Sequence, residues 1–261
     1  MTQIIPLEII QLANKLADTA APIARQYFRQ PLDIVAKADE SPVTIADQTA
    51  ELEMRKVIES TFPSHGIYGE EHGQVRLDAD YVWVLDPIDG TAAFITGMPV
   101  FGTLIAVSMA ETPVLGVIEQ PITRERWVGA KGHVTTLNGE TVKTSGCIKL
   151  EDARMYITTS DMLTTDDESA KFQNLRQSVR VNRFGGDCYS YGLLAAGQVD
   201  LVFESQLQPY DFMALVPVVE GAGGVMSDWD GNPLTLSSGP QVIAAATKEL
   251  HVQALEKIHS A

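Results

Sequence analysis

The first thirty residues carry apolar side chains at the spacing of an amphipathic helix. These side chains are Ile9, Leu12, Ala13, Leu16, Ala20, Ile23, Ala24 and Tyr27. Residues three and four apart share one face of a helix, so the pattern predicts a helix with one buried side. Pro22 lies inside the pattern, and we expect it to kink or interrupt this helix because proline lacks a backbone N–H. A second helical pattern covers residues 44–62.

The middle of the chain changes to apolar runs of strand length. The predicted strands are 81–85, 101–110, 114–119 and 126–130, followed by a turn at Asn138-Gly139. Beyond residue 150, strands and helices alternate. The strands predicted there are 153–158, 181–184, 199–204 and 241–246, and the helices are 168–179, 187–197, 211–222 and 248–258.

This order of elements predicts an α/β protein built from two halves. Residues 1–147 would form an α+β half, and residues 148–261 would form an α/β half packed against it. No linker rich in proline or glycine separates the two. We therefore expect one tightly packed functional unit with a site between the halves.

Residues 83–91, Trp-Val-Leu-Asp-Pro-Ile-Asp-Gly-Thr, contain the most informative polar residues of the chain. The apolar run ends in two carboxylates, Asp86 and Asp89, and Gly90-Thr91 is suited to a tight turn that opens a helix. Hard oxygen ligands beside backbone N–H groups indicate a divalent metal and a phosphate. A polar turn in which both carboxylates cap backbone groups is the alternative.

Other acidic residues have a structural and a functional interpretation. Glu70-Glu71 is either a solvated pair or a ligand source, and Asp211 is either a helix N-cap or a ligand. Asp47 follows Thr44 by three residues, which resembles a capping box. Lys37 precedes a polar loop and has the pattern of an ordinary surface lysine.

Composition excludes several classes of protein. The 261 residues carry a formal net charge of −15, which argues against binding to nucleic acid or to anionic membranes. No apolar run has the length of a membrane span, and the N-terminus lacks the basic region of a signal peptide. The two cysteines have no motif spacing, which favours a reducing, cytoplasmic location. Bound divalent cations would offset the repulsion between such an acidic protein and a phosphorylated substrate.

Other catalytic motifs are missing from the sequence. The five histidines lack zinc-ligand spacing, and no G-x-S-x-G, P-loop or G-x-G-x-x-G motif occurs where its chemistry requires it. Asp86 and Asp89 are three residues apart, whereas phosphatases that form an aspartyl phosphate need D-x-D-x-T. Covalent phosphoaspartate chemistry is therefore not expected.

Taken together, the motifs resemble those of the inositol monophosphatase superfamily of metal-dependent phosphatases. The matching segments are Lys37 with 41–47 (Ser-Pro-Val-Thr-Ile-Ala-Asp), 69–71 (Gly-Glu-Glu), 83–91, and Tyr210-Asp211 with 220–224 (Glu-Gly-Ala-Gly-Gly). Their order and separation cover nearly the whole chain. The resemblance implies an αβαβα layered sandwich of the inositol monophosphatase and fructose-bisphosphatase type, assembled as a homodimer.

The resemblance also implies a site with two to three Mg²⁺ ions. Glu70, Asp86 and the Ile88 carbonyl would hold one ion, and Asp86, Asp89 and Asp211 a second. Glu70 would help to hold a weaker third ion, and most ligands would then come from the N-terminal half. Lys37 and Glu71 would support the site.

The implied chemistry is hydrolysis of a small phosphomonoester. Gly90 and Thr91 would bind the phosphate through backbone N–H groups. Water activated by the metal ions and oriented by Asp47 and Thr91 would attack phosphorus in line. Glu70 would assist catalysis as a ligand.

The substrate is indicated by residues that depart from the inositol-phosphatase pattern. These are the segments 92–99 and 185–189, Tyr210 in place of a common Trp, and Pro217 inside the predicted helix. They resemble the histidinol-phosphate phosphatase branch of histidine biosynthesis. Asp187 and Glu204, with Asp89 and Asp211, would bind a substrate that carries an ammonium and an imidazole. Asp187 as a helix N-cap, and an inositol-phosphate or broad sugar-phosphate monophosphatase, are the alternatives.

Overall fold

The structure is a computed structural model that describes residues 5–30, 35–36, 42–43 and 45–260. Its helices are α1 (Leu7–Tyr27), α2 (Ile45–Thr61), α3 (Thr91–Thr96), α4 (Asp166–Arg176), α5 (Asp187–Ala195), α6 (Pro209–Phe212), α7 (Leu215–Gly221) and α8 (Lys248–His259). Its first strands are β1 (Val35–Ala36), β2 (Pro42–Val43), β3 (Gly66–Gly69), β4 (Gly73–Val75), β5 (Val82–Asp89), β6 (Gly102–Met109), β7 (Thr112–Gln120) and β8 (Glu125–Ala130). The others are β9 (Thr136–Leu137), β10 (Glu140–Thr141), β11 (Arg154–Ile157), β12 (Val181–Phe184), β13 (Leu201–Glu204), β14 (Val225–Ser227) and β15 (Val242–Ala245).

An eight-stranded sheet has the order β10-β9-β8-β7-β6-β5-β3-β4. Its neighbours are antiparallel except for β3 and β5, which run parallel with Gly69 opposite Leu85. The Glu70 N–H continues this pairing by donating to the Leu85 carbonyl at 3.2 Å. Parallel strands run towards the same edge of a sheet, so Glu70, the residue after β3, lies beside Asp86 of β5.

A five-stranded sheet has the order β12-β11-β13-β15-β14. Strand β11 is parallel to β12 and to β13, whereas β15 is antiparallel to β13 and to β14. Glu204 is the last residue of β13. This placement brings the end of a strand from the second sheet towards the acidic edge of the first.

Alternate residues of β5 and β6 face opposite layers of helices. Trp83 and Ile105 pack in one core cluster with apolar residues of α1 and α2. Val84 and Leu104 pack in another cluster with residues of α5, α6 and α7, which also contact the five-stranded sheet. The far face of that second sheet packs against α4 and α8. The layers therefore alternate as αβαβα, which confirms the predicted fold class.

The two sheets divide along the chain near the predicted boundary. The eight-stranded sheet uses strands from residues 66–141, and the five-stranded sheet uses strands from residues 154–245. The assignment of residues 1–147 and 148–261 to separate halves stays a prediction, because α5–α7 pack on both sheets. In the described ranges, we found no helix whose length and hydropathy match a bilayer-spanning segment.

Two prolines act differently from each other within helices. Helix α1 continues through Pro22 without the predicted interruption, because its buried face packs on the sheet and maintains the helix around the missing N–H. The helix predicted at 211–222 is instead two short helices, separated at Met213 and Ala214. Pro217 cannot donate to the Met213 carbonyl and its ring crowds that group, so a single continuous helix is disfavoured there.

Candidate active site

Asp86 and Asp89 lie at the end of β5, beside an irregularity in the strand pairing. Asp86 pairs with Leu104 and Asp89 pairs with Gly102, and the register shifts between them. The Ile88 N–H donates to Asp86 Oδ1 at 3.1 Å, which orients this buried carboxylate. The irregularity lets two carboxylates three residues apart approach one another, as a regular strand would not.

Gly90 lies between β5 and α3, and Thr91 is the first residue of α3. Gly90 has a φ of 81°, in the left-handed region that favours glycine. A Cβ atom there would also lie 2.8 Å from Asp187 Cγ, so the close approach of α5 requires a glycine. The Thr91 hydroxyl donates to the Ile88 carbonyl at 3.2 Å. The role of Gly90 and Thr91 in binding phosphate stays a prediction.

Asp211 joins this cluster from the other half of the chain. Its Oδ2 atom accepts the Gln208 N–H at 2.6 Å, so Asp211 is the reciprocal member of a capping box rather than the N-cap itself. One carboxylate oxygen from each of Asp86, Asp89 and Asp211 lies within 4.8 Å of the others. Asp211 can therefore take part in the capping box of α6 and also belong to the acidic cluster.

A second acidic group lies beside the first. Asp47, in the first turn of α2, is buried, and one carboxylate oxygen from each of Asp47, Glu70 and Glu71 lies within 4.8 Å of the others. Thr44, the partner in the predicted capping box, and Lys37 lie outside the described residues. The structure therefore brings Asp47 to Glu70 but does not describe the supporting lysine.

The electrostatics of these carboxylates favour a bound cation. Burial, followed by the charges of Glu70 and Asp89, raises the pKa of Asp86 well above its ordinary value. Burial and then the charge of Asp89 raise the pKa of Asp211 in the same way. Burial raises the pKa of Asp89 to about 7, although hydrogen bonds from Cys188 oppose the shift. Clustered carboxylate oxygens are the donor set that suits Mg²⁺, so these residues fit a divalent metal.

These shifts predict how stability depends on pH in the presence of a chelator. The folded-state pKa of Asp89 is about 7, whereas an unfolded aspartate titrates near pH 3.9. The folded protein therefore binds more protons in that window, and the free energy of unfolding falls as pH rises from about 4 to 7. In EDTA, we expect a Tm at pH 8 about 5 °C or more below that at pH 5.5. Thermal unfolding followed by circular dichroism measures this difference.

Mg²⁺ should raise the Tm more at pH 8 than at pH 5.5, because it binds the ionised carboxylates. Sodium chloride at equal ionic strength is the control, since it screens charge without binding the cluster. An equal rise in Tm with Mg²⁺ at both pH values would contradict the expectation that Mg²⁺ stabilises the protein by binding ionised carboxylates.

A small cavity of about 70 Å³ lies next to the acidic cluster. All four residues predicted to bind the organic part of the substrate line it: Asp89, Asp187, Glu204 and Asp211. Met162, Leu207 and Leu215 supply apolar surface. Among the described residues that line this cavity there is no lysine or arginine, so its charge favours a cationic group.

Glu204 is held in place by two residues that the sequence did not single out. Thr158 donates its N–H to Oε1 at 3.1 Å and its hydroxyl to the same oxygen at 2.5 Å. Tyr191 donates its hydroxyl to Oε2 at 3.1 Å. Burial raises the pKa of Glu204 to about 7, Thr158 opposes that shift, and the charge of Asp187 adds to it. Thr158 and Tyr191 are 46 and 13 residues away from Glu204 along the chain, so the sequence held no local signal for these contacts.

Asp187 has a strained backbone where α5 begins. Its φ is 42°, and the N-cap position belongs to Gly186. The alternative that Asp187 is an N-cap is therefore wrong. The next residue, Cys188, donates its N–H to Asp89 Oδ2 at 2.7 Å, so the helix start contacts the first half directly. Burial and the charge of Asp89 raise the pKa of Asp187 to about 7.

The chain is similar to known proteins over nearly its whole length. Residues 6–261 match the model of the inositol monophosphatase family. The chain is 51% identical to the bifunctional phosphatase IMPL2, chloroplastic, of Arabidopsis thaliana, with 95% of this chain and 74% of that protein covered. It is 34% identical to a histidinol-phosphatase of Chlorobaculum parvum, over 85% of this chain and 86% of the other. The structure of an inositol monophosphatase from Zymomonas mobilis, 50% identical, superposes with a TM-score of 0.88 over 97% of this chain and 98% of that one.

Proposed function

Since this chain belongs to the inositol monophosphatase family of metal-dependent phosphatases, we propose that it is a Mg²⁺-dependent hydrolase of L-histidinol phosphate. The products would be L-histidinol and inorganic phosphate. The carboxylate-lined cavity beside the acidic cluster carries this proposal, because it supplies negative charge where the organic part of the substrate would lie.

The acidic cluster supplies the ligands of the proposed metal site. Glu70, Asp86, Asp89 and Asp211, with the Ile88 carbonyl, would hold two to three Mg²⁺ ions. When bound, the metal ions would supply Lewis acidity for the phosphoryl group, for the attacking water and for the departing oxygen. The family resemblance and the grouping of carboxylate oxygens within 4.8 Å support this assignment.

The residues around the cluster would perform the proton transfer and the orientation. Asp47 is buried beside Glu70 and would accept a proton from the attacking water. The Thr91 hydroxyl, 3.2 Å from the Ile88 carbonyl, would orient that water towards phosphorus. The start of α3 would bind phosphate through the N–H groups of Gly90 and Thr91. The water oxygen would bond to phosphorus as the P–O ester bond breaks, without a covalent enzyme intermediate, and the departing alkoxide would take up a proton from solvent.

The charges of the cavity support histidinol phosphate as the substrate. Histidinol phosphate carries an ammonium group and an imidazole, whereas inositol phosphate carries only hydroxyls beyond its phosphate. Asp187 and Glu204 would accept charge-assisted hydrogen bonds from the ammonium or the imidazolium. The 34% identical relative from Chlorobaculum parvum, a histidinol-phosphatase, is consistent with this choice.

An inositol-phosphate or broad sugar-phosphate monophosphatase is the second candidate function. The 50% identical protein from Zymomonas mobilis, an inositol monophosphatase, favours it. Glu204 is also compatible with either substrate, because a carboxylate accepts hydrogen bonds from hydroxyl and ammonium groups alike. Asp187, the second carboxylate, is the residue that favours the cationic substrate.

Phosphate release with Mg²⁺ tests these two functions directly. The substrates are histidinol phosphate, inositol 1-phosphate and fructose 1,6-bisphosphate, compared by kcat/KM. We expect histidinol phosphate to be preferred at least tenfold, which corresponds to about 1.4 kcal/mol of transition-state binding. A tenfold preference for inositol 1-phosphate would instead establish the second candidate.

Replacing Asp187 with asparagine should weaken selectivity for the cationic substrate. Asparagine tolerates the left-handed backbone of this position but lacks the charge. We expect kcat/KM for histidinol phosphate to fall about tenfold or more, because hydrogen bonds to charged groups contribute about 1.5–3 kcal/mol. Activity on inositol 1-phosphate should change less than about threefold, and an equal loss on both substrates would refute the role of Asp187.

The homodimer and the cytoplasmic location also remain proposals. They rest on the family resemblance and on the cysteine content. Light scattering of the purified protein measures its molecular mass in solution, and a monomer would contradict the dimer.

A further inference from the structure

One face of α2 runs from the candidate site to the turn that follows β3. Asp47, Glu51 and Arg55 are four residues apart along this helix, so their side chains share that face. All three residues are buried, and Glu51 is 0% exposed. A charged residue that is completely buried requires partners, which here belong to the β3–β4 turn.

The carboxylate of Glu51 receives three hydrogen bonds. Its Oε2 atom accepts the Glu71 N–H at 2.7 Å, and Oε1 accepts the His72 N–H at 3.1 Å. Arg55 Nε donates to Oε1 at 2.7 Å, and Arg55 Nη2 donates to the Gly73 carbonyl. Each residue that follows Glu70 in the turn is therefore bonded to α2.

Two further observations show how closely the helix and the turn fit. The carbonyl of Gln48 contacts His72 Nε2 at 2.9 Å, which adds a fourth hydrogen bond between α2 and the turn. A Cβ atom at Gly69 would lie 1.9 Å from Glu51 Oε1. Only a glycine permits this approach, so the carboxylate reaches the backbone immediately before Glu70.

We propose that Glu51, held by Arg55, is a positioning residue for Glu70. It fixes the turn that carries Glu70 against the helix that carries Asp47, and so sets the distance between the two. The inference rests on the proposed function, in which Glu70 binds metal and Asp47 activates water. Glu51 itself lies behind the turn and does not touch the reacting atoms.

The bonding explains why a glutamate is required at position 51. Three donors converge on its two oxygens, and a glutamine would present its own NH₂ donors to at least one of them. The negative charge also adds to a region that already contains Asp47, Glu70 and Glu71. Arg55 pairs with Glu51 at 2.7 Å, which offsets the repulsion between the Glu51 carboxylate and those three carboxylates.

The test is Mn²⁺ binding to the full chain, in which free Mn²⁺ is followed by electron paramagnetic resonance without substrate. We expect Glu51→Gln to raise the Kd for Mn²⁺ at least about tenfold, as outer residues of metal sites do. Asp200→Asn is the matched control. Asp200 is 1% exposed and accepts the Arg154 N–H at 2.8 Å and Arg154 Nε at 2.7 Å, but it lies at the opposite end of β13 from Glu204.

The control variant separates positioning from general stability. Asp200→Asn should lower the Tm by an amount similar to Glu51→Gln while its Kd for Mn²⁺ stays within about twofold of wild type. An unchanged Kd in Glu51→Gln would overturn the proposal and leave the proposed function intact. Absence of Mn²⁺ binding in the wild-type protein would instead overturn both.

A second variant covers the case in which Glu51→Gln does not fold. Arg55→Lys retains a positive charge near Glu51 but cannot bond to both Glu51 and the Gly73 carbonyl with one planar group. A rise in the Kd for Mn²⁺ that is smaller than the rise expected for Glu51→Gln supports the positioning role. A folded Arg55→Lys protein with wild-type Mn²⁺ binding would overturn it.

Discussion

Replacing Asp47 with asparagine is expected to lower kcat about a hundredfold to ten thousandfold, the range of general acid–base catalysis. Asparagine has nearly the shape of aspartate but cannot accept a proton from water. Asp47 is buried beside Glu70 and Glu71, and its oxygen lies within 4.8 Å of theirs. Since the proposed metal ligands remain, the Kd for Mn²⁺ and the KM should change only severalfold. Steady-state kinetics and a Mn²⁺ titration separate these quantities.

Glu53→Gln is the matched control for Asp47→Asn. It removes one negative charge from the same helix, but the Glu53 side chain is 42% exposed and forms an ion pair with Lys56 at 2.6 Å on the surface. Surface ion pairs contribute little, so its activity should equal that of wild type. A loss of Mn²⁺ binding as large as the loss of kcat in Asp47→Asn would show that Asp47 is a ligand rather than a base.

The long periodic elements could be predicted from the sequence, whereas weakly patterned ones could not. Helices α1, α2, α4 and α8 and strands β6, β7 and β12 lie close to the predicted segments. Strand β3, residues 66–69, was missed because two of its four residues are glycines and its pattern is too short. Its existence depends on parallel pairing with β5, a long-range contact without a local signal.

The acidic residues of the site could be proposed from motifs, but their supporting partners could not. Asp86, Asp89 and Asp211 meet as the resemblance implied. Thr158 follows β11 and Tyr191 lies in α5, so no spacing along the chain connects these two residues to Glu204, which they hold. The same is true of Glu51 and the Glu70–Gly73 turn. These contacts exist only after the sheets and α2 have packed.

Asp187 shows how the structure decides between two local interpretations. Aspartate before a helix favours an N-cap, yet the observed cap is Gly186, which places Asp187 inside α5 with a φ of 42°. This backbone costs free energy for any residue with a side chain. It turns the Cys188 N–H towards Asp89 and leaves the Asp187 side chain at the cavity. Backbone strain at a residue that lines an acidic cavity favours a role for that residue in binding.

Replacing Asp89 with asparagine is expected to weaken metal binding at least about a hundredfold, beyond the usual effect of outer residues. Asp89 Oδ2 accepts the Cys188 N–H at 2.7 Å, and the cluster with Asp86 and Asp211 also requires an oxygen from it. Asparagine has one oxygen for these two tasks. Its NH₂ group must face either the Cys188 N–H or the metal, and neither accepts a hydrogen bond.

A Mn²⁺ titration of the Asp89→Asn protein measures the loss, and kcat/KM at subsaturating Mg²⁺ should fall in parallel. Asp78→Asn removes the same charge from an exposed position before β5, so it should bind Mn²⁺ as wild type does. Burial already raises the pKa of Asp89 to about 7, so removal of its charge should raise the Tm of the metal-free protein near pH 8. Weaker Mn²⁺ binding together with a higher Tm in EDTA is a result that general misfolding would not produce. Equal Mn²⁺ affinity in Asp89→Asn and wild type would refute the assignment of Asp89 as a ligand.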